Sequence, residues 1–182
     1  EDALQAIKAA KKPLLIAGGG VHYSDATDTL KSFAEAHNIP VTETQGGKSA
    51  LPHDNPLNIG ALGVTGTSAA NKLAEEADLL LTVGTRLQDF TTGSWALFKN
   101  PDRRFIGINT QAFDATKHRS LPLVGDAKTS LEQLTSGLGS WSAPTEWRDL
   151  GESEYQNWMA AASAVTEANP GPHPTDAQVI GA

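Results

Sequence analysis

A short apolar run, DLLLTVG at residues 78–84, sets the strongest limit on how this chain folds. It has the length of a strand, and polar side chains do not alternate with the apolar ones. Runs of this kind are typical of strands buried on both faces, as in parallel sheets that helices cover on two sides. The segment therefore predicts a central strand between two layers of helices.

Strand-like and helix-like segments alternate along most of the chain. Further strands are expected at residues 12–17, 40–44, 58–61, 103–110 and 121–126. Helices are expected at residues 1–12, from Ser24-Asp25 to residue 39, at 68–77 with Thr67 as cap, and at 127–138 with Asp126 as cap. This order predicts an α/β fold, namely a three-layer α/β/α, Rossmann-like domain with a mostly parallel sheet of about six strands.

Composition excludes several classes of function. The 182 residues carry a net charge of −7, which disfavours a nucleic-acid partner. Cysteine is absent, so disulfides, thiolate metal sites and a cysteine nucleophile are excluded. No apolar run approaches the roughly 18 residues that cross a bilayer, so no membrane partner is expected. The five histidines show no metal-ligand spacing, and we expect no metal site in this chain.

Three consecutive glycines, Gly18, Gly19 and Gly20, follow the first predicted strand. Gly18 and Gly20 fit the dinucleotide fingerprint G-x-G-x-x-G, but Tyr23 stands in place of the third glycine. Two interpretations remain open: a nucleotide-binding loop, and a tight turn in which glycine adopts a positive φ. The incomplete fingerprint favours a turn at the carboxyl edge of the sheet, whose glycines let the backbone pass closely.

Other segments carry charged side chains beside glycine. GGKS at 46–49 resembles the end of a phosphate-binding loop, but Thr42 replaces its first glycine, so Lys48 is either a phosphate contact or a solvated lysine. Arg86 follows the strand at 78–84 and either clamps a phosphate or carboxylate, or pairs with Asp89 or another domain. His22 is a candidate for lining a cleft, and His37 belongs to an apolar helix face.

The residues after 138 differ in character from those before. A polar helix is expected at about 145–168, with Tyr155, Trp158, Met159 and Ala162 on one face. NPGPHP at 169–174 predicts a rigid break, followed by a helix capped by Thr175 or Asp176. We expect residues 1–138 to form one domain and 139–182 to be a linker helix that leads into another. The chain begins and ends within predicted helices, which predicts an excised middle piece of a longer protein.

Four segments together resemble one known family. Residues 12–21, 60–89, 105–110 and 121–134 resemble, in this order, the central domain of thiamine diphosphate-dependent enzymes, which include acetolactate synthase and pyruvate oxidase. Residues 139–182 are similar to the connector and the opening helix of the C-terminal, diphosphate-binding domain. Residues 42–67 and 85–98 most resemble the branch of C–C hydrolases that open a ring in myo-inositol catabolism. Acetolactate synthase-like carboligases are the alternative.

The resemblance implies that the catalytic residues lie outside this chain. Thiamine diphosphate and Mg would be bound by the N- and C-terminal domains of the same protein, and the fragment alone is expected to be inactive. The partners would be those two domains, in a dimer or tetramer of the longer chain, in the cytoplasm.

Some relatives bind FAD or ADP in this central domain. The matching cofactor-binding positions are Gly18, Gly19, Gly20, Gly84, Thr85, Arg86, Asn109, Thr110, Gly125 and Asp126. Flavin-binding relatives usually carry an acidic residue where this chain has Asn109, and an acid suits the two ribose hydroxyls better than an amide does. We therefore expect a vacant or vestigial nucleotide cleft.

Three functional hypotheses follow. The first is a structural central domain in which residues 45–49 and 86–94 edge a cleft or a domain interface. The second is a stand-alone nucleotide-binding module that uses the same loops. The third is an interaction domain that docks on another chain through Trp141, Trp147 and Trp158.

Overall fold

A computed structural model describes residues 1–167 and 173–181. The strands are β1 (Pro13–Ala17), β2 (Val41–Glu43), β3 (Asn58–Ala61), β4 (Leu79–Val83), β5 (Arg104–Asn109) and β6 (Leu121–Val124). The α-helices are α1 (Asp2–Ala9), α2 (Gly20–Tyr23), α3 (Thr27–His37), α4 (Ser68–Glu76), α5 (Asp89–Thr92), α6 (Ala112–Ala115), α7 (Ala127–Leu138), α8 (Thr145–Thr166) and α9 (Asp176–Gly181). Short 3₁₀ turns cover Gln45–Gly47 and Lys117–Arg119.

The six strands form one sheet in the order β3-β2-β1-β4-β5-β6, and every pair is parallel. Leu15 of β1 lies opposite Val41 on one side and Leu81 on the other. This arrangement confirms the predicted α/β fold. The strand order reverses between β1 and β4, and in open α/β sheets a ligand crevice forms outside the carboxyl ends of the strands at such a point.

Each face of the sheet buries its own apolar core, because successive strand side chains point to opposite faces. Leu15 and Ala17 belong to the core that α1, α3 and α7 cover. Leu14 and Ile16 belong to the second core, which α4 and the first part of α8 cover. All five residues of both β1 and β4 are buried, as the apolar run at 78–84 predicted.

The predicted caps are present, and one predicted helix start is wrong. The Thr67 hydroxyl accepts a hydrogen bond from the Ala70 amide, and Asp126 accepts one from the Thr129 amide. The helix expected from Ser24-Asp25 begins instead at Thr27. Ser24 closes the short α2, and Asp25 has a φ of 49°, a left-handed conformation that turns the chain before α3 begins.

The first half of α8 packs on the sheet, which the interpretation as a linker did not foresee. Trp147 is buried, and its Nε1 donates a hydrogen bond of 2.8 Å to the Pro13 carbonyl. Trp141 is half-buried, and its carbonyl lies 2.7 Å from His37 Nδ1. The hypothesis that Trp147 docks on another chain is therefore wrong. The domain boundary at residue 138 stays a prediction.

The end of the chain is described only in part. Residues 168–172, which include most of the expected rigid break at 169–174, lie outside the described residues. In α9, the Thr175 hydroxyl accepts a hydrogen bond from the Gln178 amide, so Thr175 is the cap. Within residues 1–167 and 173–181, no helix combines the length and the apolar character needed to cross a bilayer.

Replacing Trp147 by Phe tests the contribution of α8 to the fold. The variant leaves the buried Pro13 carbonyl without its donor, which costs about 1–3 kcal/mol of unfolding free energy. Urea unfolding followed by circular dichroism measures the loss. Trp158→Phe is the matched control, since Trp158 is half-buried and stacks only on Tyr155. Equal stability of both variants would contradict a structural role for Trp147.

Candidate functional site: a cleft at the carboxyl edge of the sheet

A cleft of about 390 Å³ lies where the strand order reverses. Its walls come from the loops that follow β1, β2, β4, β5 and β6, and all of these loops leave the sheet at the carboxyl edge. The volume lies within the range of about 300–1,000 Å³ that small-molecule sites occupy.

Backbone hydrogen bonds join the loops that form the cleft. The Gly18 amide donates to the Val83 carbonyl at 2.8 Å, and the Gly20 amide donates to the Gly84 carbonyl at 3.0 Å. The Gly84 amide in turn donates to the Ile108 carbonyl at 2.9 Å. The hydrogen-bonding pattern of the sheet thus continues beyond the strands and fixes the floor of the cleft.

The glycines of the first loop are required by close packing. A Cβ atom on Gly20 would lie 2.5 Å from the Gly84 Cα atom, and one on Gly18 would lie 2.6 Å from the Thr85 Cβ atom. The predicted close passage of the backbone is confirmed, whereas the other predicted reason, a positive φ in Gly18–Gly20, is wrong. None of these three residues has a positive φ, whereas Gly84 on the facing loop has a φ of 62°.

Most of the predicted cofactor-binding residues lie together. The cleft is lined by Gly19, Gly20, Gly84, Thr85, Arg86, Asn109, Thr110 and Gly125. Gly18 and Asp126 do not line it. Gly18 packs against the backbone of Gly84, and the Asp126 carboxylate accepts a hydrogen bond from the Thr129 amide at the start of α7.

Both polar ends of the Asn109 side chain are used within the protein. Its Nδ2 donates to the Thr85 carbonyl at 3.4 Å, and its Oδ1 accepts from the Gln111 amide at 3.0 Å. A carboxylate at this position would be unable to donate to the Thr85 carbonyl. Asn109 therefore connects the loops after β4 and β5.

Of the alternatives weighed above for Arg86, the pairing with Asp89 is not observed. Arg86 is exposed, and its guanidinium donates to Gln88 Oε1 at 3.1 Å, not to Asp89. Asp114 also lines the cleft, but its carboxylate pairs with Lys117 at 2.6 Å. Arg86 is therefore a cationic group at the cleft that can bind an anion without breaking an ion pair within this chain.

The GGKS segment has a packing role. A Cβ atom on Gly47 would lie 2.9 Å from the Gly18 Cα atom, so this loop also approaches the end of β1 closely. Lys48 is mostly exposed, and its Nζ lies 3.5 Å from Oε2 of the buried Glu43. Sequence analysis missed Glu43 as its partner. His22 does not line the cleft, and its Nε2 lies 3.0 Å from the Lys48 carbonyl.

Sequence analysis expected residues 45–49 to edge a cleft or a domain interface, but it missed Thr44, which completes the wall that the loop after β2 provides. Thr44, Gln45 and Gly46 line the cleft opposite the first glycine loop. The signal was present, because a parallel strand at 40–44 must end at the same edge as its neighbours. The position of β2 beside β1, which brings this loop to the cleft, follows only from the strand order.

A larger cavity of about 680 Å³ lies at the amino ends of β5 and β6. Arg103, Arg104, Arg119 and His118 contribute to its lining. Burial, with a smaller effect from the neighbouring Lys117, lowers the pKa of His118. We assign the candidate site to the smaller cleft, because ligands of open α/β sheets bind at the carboxyl edge.

Replacing Gly20 by Ala tests the close approach of the two loops. The added Cβ meets backbone atoms that cannot rotate away, and overpacking of this kind costs about 1–3 kcal/mol. Gly125→Ala is the matched control at the same cleft, where the nearest atom would be Ser130 Oγ at 3.5 Å. We expect a lower melting temperature for the first variant only, and equal melting temperatures would contradict the packing argument.

The cap of α7 makes stability depend on pH. The Thr129 amide and the Ser24 hydroxyl donate to the Asp126 carboxylate and lower its pKa below 3.8. The stability that this carboxylate contributes is therefore present above pH 3.8 and is lost as the pH falls through the folded-state pKa.

We expect Asp126→Ala to lose about 1 kcal/mol at neutral pH, and this difference to shrink in acid. Asp126→Asn is the control, because its side chain caps the helix without titrating. Urea unfolding between pH 7 and acidic pH measures both differences. A constant gap between the native chain and Asp126→Ala would contradict the assignment.

Comparison with known proteins places the chain in a family. Residues 1–134 match the family described as thiamine pyrophosphate enzyme, central domain. Relatives named 3D-(3,5/4)-trihydroxycyclohexane-1,2-dione hydrolase occur in Clostridium perfringens, with 48% identity over 166 residues, and in Clostridium botulinum, with 53% over 165 residues. A relative in Bacillus cereus, with the same name followed by the number 2, is 50% identical over 166 residues.

These alignments cover 91% of this chain in each case, and 26%, 26% and 24% of the respective relatives. The chain therefore spans about a quarter of the length of these relatives. The family match, the parallel six-stranded sheet and the order of the loops at its carboxyl edge agree with one another. This chain belongs to the thiamine pyrophosphate enzymes and contains their central domain.

Proposed function

We propose that this chain is the central domain of a longer thiamine diphosphate-dependent enzyme that hydrolyses a carbon–carbon bond and opens the ring of a trihydroxycyclohexanedione in myo-inositol catabolism. The observation that carries the proposal is the identity of about one half to relatives of that name, spread over 91% of the chain. A carboligase similar to acetolactate synthase is the alternative.

The residues of this chain do not fit a site for the diphosphate and its Mg²⁺. Within the described part of the chain, no group of three or more His, Cys, Asp or Glu side chains is placed to hold a metal ion. Near the cleft, the carboxylates of Glu43, Asp114 and Asp126 are each engaged in contacts within the domain. We therefore assign thiamine diphosphate and Mg²⁺ to other domains, and we assign no catalytic residue to this chain.

The role that we assign to the chain is structural. The loops at residues 45–49 and 86–94 edge the cleft, and the glycine contacts hold both loops in one arrangement. When bound elsewhere in the longer protein, thiamine diphosphate supplies the carbanion chemistry. At the carboxyl edge of the sheet, this domain exposes the loop that carries Arg86 and the loop after β2 to neighbouring parts of the longer protein.

Activity measurements on the longer protein test this proposal. With thiamine diphosphate and Mg²⁺, we expect it to open the ring of 3D-(3,5/4)-trihydroxycyclohexane-1,2-dione, and the 182-residue chain alone to show no turnover. Formation of acetolactate from pyruvate, without ring opening, would favour the carboligase instead. Turnover by the 182-residue chain would contradict the assignment of catalysis to other domains. A dimeric or tetrameric assembly and a cytoplasmic location remain predictions.

Nucleotide binding is tested separately, on the 182-residue chain. The engaged amide of Asn109 supports a cleft that holds no resident FAD or ADP. We expect no change in melting temperature with FAD, ADP or NAD at millimolar concentration. A ligand present at about 100 times its Kd would raise the unfolding free energy by about 2.7 kcal/mol. An increase of several degrees with any of these nucleotides would favour the stand-alone nucleotide-binding module.

A further inference from the structure

Exposed apolar side chains are concentrated at one edge of the sheet. Tyr23, Val64, Phe90, Phe113 and Val124, which we call the carboxyl-edge rim, each follow a different strand or end it, and each is more than half exposed. Tyr23 reaches 95% exposure and Phe113 reaches 75%. Single exposed apolar residues are ordinary, but a group at the edge of the sheet that carries the cleft, which Tyr23 itself lines, is typical of an interaction surface.

The opposite edge of the sheet differs. In residues 1–167 and 173–181, the exposed large apolar side chains outside the rim are Met159, Val165, Val179 and Ile180. All four belong to the second half of α8 or to α9. The amino edge carries none within this described part.

The direction of α8 connects these two groups. The helix begins near the amino edge, where Trp147 donates to the carbonyl of Pro13, the first residue of β1. Two turns later Tyr155 lies against Gly60, near the carboxyl end of β3, where a Cβ atom would be 3.2 Å from its Cε2 atom. From Tyr155 to Thr166 the helix rises about 16 Å further. It therefore extends past the carboxyl edge.

The next described residues stay at that end of α8. Gln178 of α9 donates through Nε2 to the Glu167 carbonyl at 2.9 Å. The chain thus continues beyond the carboxyl edge, on the side of the sheet where β3 lies, with Val179 and Ile180 exposed. The relatives are about three and a half times as long as this chain, so their remaining length has to pack somewhere.

We propose that the carboxyl-edge rim is the docking surface for the domain that follows α9 in the longer chain. This inference rests on the proposed function, in which the chain is one part of a longer enzyme. A covalently linked neighbour has an effective concentration in the millimolar range, so a modest apolar contact is enough to hold it. A second copy of the chain would not be linked covalently through α8 and would therefore lack this high effective concentration.

The rim also defines the chemistry of the facing surface. The partner must be apolar opposite Phe90 and Phe113, and a carboxylate fits opposite Arg86. The Arg86 guanidinium contacts Gln88, and no carboxylate lies within 4.0 Å of it in the part of the chain that the structure describes. Docking of this domain would cover the cleft and exclude water from it.

Photo-crosslinking in the full-length protein identifies the neighbour of the rim. Phe113→p-benzoylphenylalanine and Phe90→p-benzoylphenylalanine place a photoreactive ring at two exposed rim positions. The matched control is Ala36→p-benzoylphenylalanine, because Ala36 is exposed on α3 away from the rim. After irradiation, peptide mass spectrometry locates the crosslinked segment, and melting temperatures check that each variant is folded.

We expect both rim positions to crosslink, within one chain, to peptides that follow residue 182, with a yield about tenfold above that of the control because docking holds the surfaces together. Crosslinks to peptides that precede residue 1, products with the mass of two chains, a yield equal to the control, or no crosslink at all would each overturn the proposal. The readout needs no catalysis, so a failure of ring opening would contradict the proposed function without affecting this result.

Discussion

The close approach of the loops after β1 and β4 is the constraint on which the rest of this structure depends. Gly20 and Gly84 lie so near each other that neither position has room for a side chain. Their backbone groups continue the hydrogen bonding of the sheet beyond the strands. Because these loops meet, the cleft has a closed floor and the loops after β2, β5 and β6 are arranged around it.

The same contact limits what the cleft can hold. Loops that pack this tightly bring backbone groups close to any ligand, which is why nucleotide-binding folds use glycine here. In this chain, the Asn109 amide at the edge of the cleft makes a hydrogen bond at each of its two ends within the domain and so connects two neighbouring loops. The glycine loops are arranged as in a nucleotide-binding fold, while Asn109 contributes to the packing of these loops.

The fold itself was largely predictable from sequence. Apolar runs predicted the buried strands, and the oxygen-bearing caps Thr67 and Asp126 fixed the starts of α4 and α7. These signals are local, because burial on both faces and helix capping each leave a pattern within a few residues. The start of α3 was predicted too early because the chain first forms the short α2, which depends on the loop contacts around Gly20.

The candidate site was predictable only in part. Gly84, Thr85 and Arg86 were identified because they follow an evident strand, and residues 45–49 were expected to edge a cleft or a domain interface, but Thr44 was missed. Contacts between residues distant in sequence were also missed. An example is the hydrogen bond from Trp147 to Pro13, which joins residues 134 positions apart.

The sequence by itself determined the α/β class, the parallel sheet and the loops that carry glycine, because strand burial and helix periodicity are local properties of the chain. Only the tertiary structure decided which loops those glycines pack against and where α8 belongs. The glycines are required by the short distance between two loops, and α8 packs on an apolar face of the sheet. Both the distance and the face depend on the order of the strands. That order also gathers the exposed apolar residues at one edge.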